Sequence, residues 1–193
     1  MELKNTRLIF ADIFETGVVI DIEAAGPNPG TYSMLSLGAC TLKQPQETFY
    51  IELQPVTKAQ DKAAMQTHTL DHQMLITQGV PPEDAMQQFE DWLHNVIPAR
   101  RHPVFIAFNA PFDWMFVADY FQRYLGRNPF GHKALDIKAF YMGLKGVAWE
   151  DTSHQVISQA YGRKTSLSHH ARQDAIDEAE LFRLILADAG KIT

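Results

Sequence analysis

An α/β domain, with a mixed sheet and helices packed on its faces, is the fold the sequence predicts, and three observations predict it. Three β-rich segments follow one another near the start. Strand-like and helix-like segments then alternate, and the helical ones carry apolar residues at three- and four-residue steps.

Gly17 to Glu23 reads as the first strand, Met34 to Leu42 as the second and Thr48 to Leu53 as the third. The turn Lys43-Gln44-Pro45-Gln46 joins the last two, so the sheet should start antiparallel. A polar stretch follows. Pro82-Glu83-Asp84 then offers proline and acids for a first helical turn, after which Ala85, Met86, Phe89, Trp92, Leu93, Val96 and Ile97 form one apolar stripe. Val104 to Phe108 is a short apolar strand, followed by a helix with the inner stripe Phe112, Met115, Phe116, Tyr120 and Tyr124, closed by Gly126. A weaker strand is expected near Ala134 to Ile137 and a helix near Ser153 to Tyr161. A long helix is expected from about Arg172 to Ala189, with Gly190 as its stop.

The 193 residues are 46% hydrophobic and 21% charged, the size and balance of one compact unit, so residues 1–193 are expected to form a single domain. No run of eighteen apolar residues occurs, and MELKNTRLIF lacks the sections of a secretory signal, which predicts a soluble protein acting in the cytoplasm. The one cysteine, Cys40, lies in an apolar run and reads as a small buried hydrophobe. A net charge of −6 argues against non-specific duplex binding, although carboxylates gathered around cations let an acidic protein attract a phosphodiester. Arg100-Arg101-His102 and Arg163-Lys164 are local basic clusters, each readable as a solvated turn or as a hold on a strand.

Three segments break the core pattern. In GVVIDIEAAG, alternation puts Val18, Ile20 and Ile22 on one face and Val19, Asp21 and Glu23 on the other. The two carboxylates then share a face, with Cα atoms about 6.6 Å apart at a rise of ~3.3 Å per residue. Two such charges about 5 Å apart repel by on the order of 1–3 kcal/mol, which a cation between them relieves. Oxygen-only ligands suit a hard ion such as Mg²⁺ or Mn²⁺. The bland reading is a solvated strand end, against which stands the position at the carboxyl end of an apolar strand, where open α/β sheets hold ligands. In AFNAPFDWMF, Asp113 stands in a first helical turn, where dipole compensation competes with a functional role, and Asn109 reads as a turn or cap residue. In SLSHHARQDAIDEAELF, His169 lies five residues before Asp174. Surface placement and dipole compensation by Asp174 and Asp177 are the alternatives. A histidine beside a metal-bound water is, however, a fitting base.

Together these segments resemble the DEDDh exonucleases, the family of ribonuclease T, oligoribonuclease and the proofreading subunit of the bacterial replicative polymerase. D-x-E followed by glycine stands as Asp21-Ile22-Glu23-Ala24-Ala25-Gly26, N-x-x-x-D as Asn109 to Asp113, and H-x-x-x-x-D as His169 to Asp174, in the family's order from about Val18 to Leu186. The resemblance implies a ribonuclease H-like mixed five-stranded sheet, with an antiparallel βββ start and then parallel strands. It implies two ions per active site, Mg²⁺ or Mn²⁺: Asp21, Glu23 and Asp174 on one, with Asp21 and Asp113 at the second. His169 then corresponds to the general base, and the reaction is 3′→5′ removal of nucleoside 5′-monophosphates from single-stranded DNA or RNA 3′ ends. Two departures bear on substrate contacts. Ala24 replaces a frequent threonine, leaving backbone N–H groups there, and Phe108 replaces a frequent histidine before Asn109, where it either packs inward or stacks on a base.

Competing readings are a catalytically silent nucleic-acid or partner-binding module of the same fold, and a phosphoesterase for small molecules, which needs no basic track. All five site residues are retained, which favours the enzyme. A homodimer stays open, since no motif addresses it.

Overall fold

The computed structural model describes residues 10–163 and 166–190. A short helix α1 (Ala11–Thr16) leads directly into β1 (Gly17–Ala24), which pairs antiparallel with β2 (Met34–Thr41), and β2 pairs antiparallel with β3 (Thr48–Glu52). On its other edge β1 pairs parallel with β4 (Val104–Ala107), which pairs parallel with β5 (Ala134–Asp136), giving the order β3-β2-β1-β4-β5. The helices are α2 (His72–Gln78), α3 (Pro82–Val96), α4 (Ala110–Tyr120), α5 (Ile137–Lys145), α6 (His154–Ala160) and α7 (Ala171–Ala189). The expected mixed five-stranded sheet with flanking helices is thus the observed fold.

Alternation along β1 sorts the interior into two cores. Val18, Ile20 and Ile22, with Leu37, Ala39 and Phe105, pack beneath α3 and α4. Val19, Cys40 and Ile106 pack beneath α5, α6 and α7, whose Ala175, Ala179, Phe182 and Ile185 fill the space. Cys40 is a buried free thiol, as its apolar surroundings suggest. No helix among the described residues is long and apolar enough to cross a membrane.

Helices α1, α2 and α5 carried no sequence expectation. Helix α2 starts where Asp71 accepts the backbone N–H groups of Gln73 and Met74. Helix α5 begins directly at the end of β5, because the Asp136 carboxylate accepts the Ala139 N–H and thereby turns Ile137 from the expected strand end into the first helical residue. At seven to nine residues, both helices are too short for a firm apolar period. Helix α4 continues as one π turn, Phe121–Leu125, and Gly126 ends it with φ 65°, as a C-terminal glycine should.

One glycine decides where α7 lies. Gly38 sits opposite Asp21 in the β1–β2 ladder, and a Cβ there would lie 2.2 Å from the Ala171 carbonyl carbon and 2.3 Å from the Arg172 nitrogen. Only a residue without a side chain lets the first turn of α7 rest on the sheet at this point. Gly38→Ala is therefore expected to lift that turn, lowering stability by about 1–3 kcal/mol or more and displacing Asp174 from Asp21. Thermal melting together with a nuclease assay checks this, since unchanged melting would mean that the contact is not tight.

Candidate active site

The carboxyl end of β1 carries Asp21 and Glu23 on the face that α7 covers. The ladder shifts register between Glu23 and Ala24, and such a bulge re-aims the side chains beside it. Two other elements bring acids to the same end of the sheet. Asp174 lies in the first turn of α7, where Gly38 admits the helix, and Asp113 lies in the first turn of α4, just beyond β4.

Each acid has a structural reason for its direction. Asp113 is not a cap for its own helix end: its Oδ1 accepts the Ile22 N–H at 3.1 Å, joining α4 to β1 between the two strand acids. Asp174 gathers the turn before its helix. Ser168 N–H and Oγ–H each donate to its Oδ1 at 2.8 Å, and His169 N–H donates to Oδ2 at 2.8 Å. This bonding bends the chain so that His169 takes φ 54°, a left-handed conformation that histidine tolerates better than most residues. The spacing of five between His169 and Asp174 is the length this fold-back needs. One ligating atom each from Glu23, His169 and Asp174 lie within 4.8 Å of one another, a group able to hold a metal ion. His170 turns the other way, stacking on Tyr50 of β3 with ring centroids 4.6 Å apart.

The remaining expected residues fall around this group. Asn109 is the left-handed residue before α4, at φ 64°, with no side-chain capping bond and an exposed side chain. Phe108 is partly buried, packs on the α5–α7 core and meets His154 edge-on at 5.2 Å, which favours the inward-packing alternative over base stacking. Ala24 is buried beside Ala25, whose N–H donates to Ser33.

Two residues at the site were not anticipated. Glu178, one turn after Asp174 on α7, is buried and accepts the Phe108 N–H at 3.3 Å. Its signal was present in the sequence: it falls on the apolar stripe of Ala171, Ala175, Ala179 and Phe182. His68, in the loop between β3 and α2, lies against the Ala24 carbonyl and within electrostatic reach of His169, with Nδ1 accepting the Leu70 N–H at 3.3 Å. Burial lowers its pKa. Nothing in its polar surroundings in the sequence marks it.

Glu23, Asp113, Asp174 and Glu178 expose only 9, 4, 2 and 3% of their surface. Burial raises the pKa of Asp21 well above the carboxylate range, and the charges of Glu178, Asp113, Glu23 and Asp174 raise it further. Burial likewise raises Asp113, against the backbone N–H groups it accepts, and raises Glu178, with the Asp113 charge adding to it. Glu23 is pushed up to about 7 by burial and then by Asp174. A fold that holds so many mutually repelling carboxylates together, with no lysine or arginine pairing them among the described residues, has the donor chemistry of a site for hard divalent cations.

A family model described as the 3′-5′ exoribonuclease Rv2179c-like domain matches residues 16–186. The 3′-5′ DNA exonuclease Cap18 of Escherichia coli is 43% identical over 171 residues, covering 89% of this chain and 91% of its own. Ribonuclease T of Pectobacterium atrosepticum is 30% identical over 176 residues, covering 86% and 78%. Among solved structures, the nuclease domain of 3′hExo, a DEDDh family member bound to rAMP, superimposes with a TM-score of 0.76 at 15% identity, covering 91% of this chain and 93% of that one.

Proposed function

For a chain that belongs to the Rv2179c-like 3′-5′ exoribonuclease domain family, and is thus a DEDDh 3′→5′ exonuclease, we propose metal-dependent hydrolysis that releases nucleoside 5′-monophosphates from the 3′ ends of single strands, with residues 1–193 as one exonuclease domain. The observation that carries this reading is the meeting of Asp21, Glu23, Asp113 and Asp174 at one end of the sheet, brought there by three separate elements.

Asp21, Glu23 and Asp174 would hold one Mg²⁺ or Mn²⁺, and Asp21 with Asp113 would hold a second. When bound, the ions lower the pKa of the attacking water and stabilise the departing 3′ oxygen. The chain's own groups do the rest. His169, exposed at the mouth of the site and fixed by its N–H bond to Asp174, accepts the proton of the attacking water. Backbone N–H groups near Ala24 and the exposed Asn109 side chain position the terminal nucleotide, and Phe108 shapes the wall behind it. Glu178 holds the Phe108 N–H and so fixes the turn that carries Asn109 and Asp113.

Chromatography of the products from single-stranded DNA and RNA, with Mn²⁺ supplied, tests this reading. Nucleoside 5′-monophosphates are expected as the only small products. Nucleoside 3′-monophosphates, or internal fragments without mononucleotide, would overturn it. A small-molecule phosphoesterase would instead release phosphate from a nucleotide monoester.

A further inference from the structure

Away from the carboxylates, near the amino ends of β1 and β4, the segment between α3 and β4 and the turn after the π segment enclose a cavity of about 390 Å³. His94, Arg100, Arg101, His102 and Arg127 line it. In a chain of net charge −6, this gathers cationic side chains away from the catalytic carboxylates, with Glu90 the one acid among the lining residues. Arg101 is paired with Asp12 at 2.8 Å, and Arg127 donates from Nε to Glu90 at 2.9 Å. The Arg100 side chain makes no hydrogen bond or ion pair among the described residues.

Arg100 also sits in a conformation that suits another residue. The Arg101 N–H donates to the Pro98 carbonyl at 3.0 Å, closing a turn in which Arg100 is the third residue, with φ 67°. Glycine or asparagine is favoured at such a position. A strained arginine at the tip of a turn, beside a cationic cavity and with no side-chain partner among the described residues, marks a contact for something anionic. Further along the surface, Arg123 reaches the Pro29 carbonyl at 3.5 Å, in the loop that follows the carboxyl end of β1, and Arg127 lies one turn beyond it. Arg123 is also paired with Asp119 at 2.7 Å, as Arg127 is with Glu90.

We propose that this cavity is a second contact for the substrate strand, holding backbone phosphates upstream of the 3′ end. The inference rests on the exonuclease reading above. Val104, next to Pro103 of the cavity wall, pairs with Gly17, six residues before Glu23. At ~3.3 Å per residue the two sites lie about 20 Å apart along the strand, a span of several nucleotides. A dinucleotide reaches only the first site, whereas a 20-mer reaches both.

The test compares Arg100→Gly with the wild type on a dinucleotide and on a single-stranded 20-mer. Glycine suits the turn better than arginine, so the variant should fold at least as stably, which a melting curve verifies. For the 20-mer, KM is expected to rise about 3–10-fold, with the salt dependence of kcat/KM reduced by about one charge, while dinucleotide kinetics stay unchanged. Anisotropy of a labelled 20-mer in EDTA should show the same weakening without any turnover. Unchanged affinity and salt slope for the 20-mer, or an equal loss on the dinucleotide, overturns the proposal. Failure of the wild type to hydrolyse either substrate would count against the exonuclease reading, and the anisotropy comparison would still decide the cavity.

Discussion

Replacing His169 by alanine is expected to lower kcat by about 10²–10⁴-fold, while His170→Ala leaves it close to the wild-type value. The two rings are adjacent in sequence and opposite in direction. His169 lies with Glu23 and Asp174 within 4.8 Å, whereas His170 stacks on Tyr50 at 4.6 Å. Loss of the base should not weaken ion binding much, so Mn²⁺ titration of His169→Ala followed by paramagnetic resonance should resemble the wild type. The pH profile separates a base from a structural residue. The pH dependence of kcat that a histidine base imposes should be missing in His169→Ala and present in His170→Ala. A larger loss at His170 would mean that Tyr50 and His170 line the reaction path and that the base is misassigned.

Asp21→Asn is expected to abolish activity and, without metal, to raise the melting temperature. Asp21 feels repulsion from four other carboxylates besides its burial, and a neutral amide removes both penalties. Relief of on the order of 1–3 kcal/mol, at effective dielectric constants between water and a protein surface, is the scale to expect. At roughly 2–4 °C per kcal/mol for a domain of this size, the shift is easily measured. Asp174→Asn should also lose activity but gain less stability, because its two oxygens accept three hydrogen bonds and an amide offers only one oxygen.

The same repulsion sets a pH dependence. An acid whose folded pKa is raised costs nothing while it is protonated in both states. Its penalty grows once the unfolded chain ionises first. For Glu23, raised from 4.5 to about 7, metal-free stability should fall as pH rises from about 4.5 to about 7, and Asp21, Asp113 and Glu178 extend that fall in the same direction. Added Mg²⁺ or Mn²⁺ should flatten the curve. Differential scanning calorimetry in EDTA across this range checks it, and stability that rises with pH would contradict the clustering.

Much of this arrangement is legible in the sequence. Alternation along Gly17 to Glu23 separates core from acid face because a strand has a period of two, and the observed cores divide along that line. The spacing of His169 and Asp174 was legible because local hydrogen bonds enforce it. Glu178 was missed because a helical acid attracts notice as a dipole partner before its place on the apolar stripe is weighed. His68 was out of reach for a different reason: it arrives through a long loop whose path depends on Asp61 N–H meeting the Ala25 carbonyl, a contact that no local pattern encodes. The basic group at Arg100 was visible as sequence, but only the turn geometry and the cavity separate it from an ordinary solvated loop.

The central claim, metal-dependent attack from the 3′ end at these carboxylates, is tested most directly with a single strand labelled at its 5′ end. With Mn²⁺ present, the label should persist on a ladder of steadily shorter products, EDTA should stop the ladder, and Asp21→Asn should fail to form it. A labelled mononucleotide as the first product, or a ladder that survives complete chelation, would contradict the account.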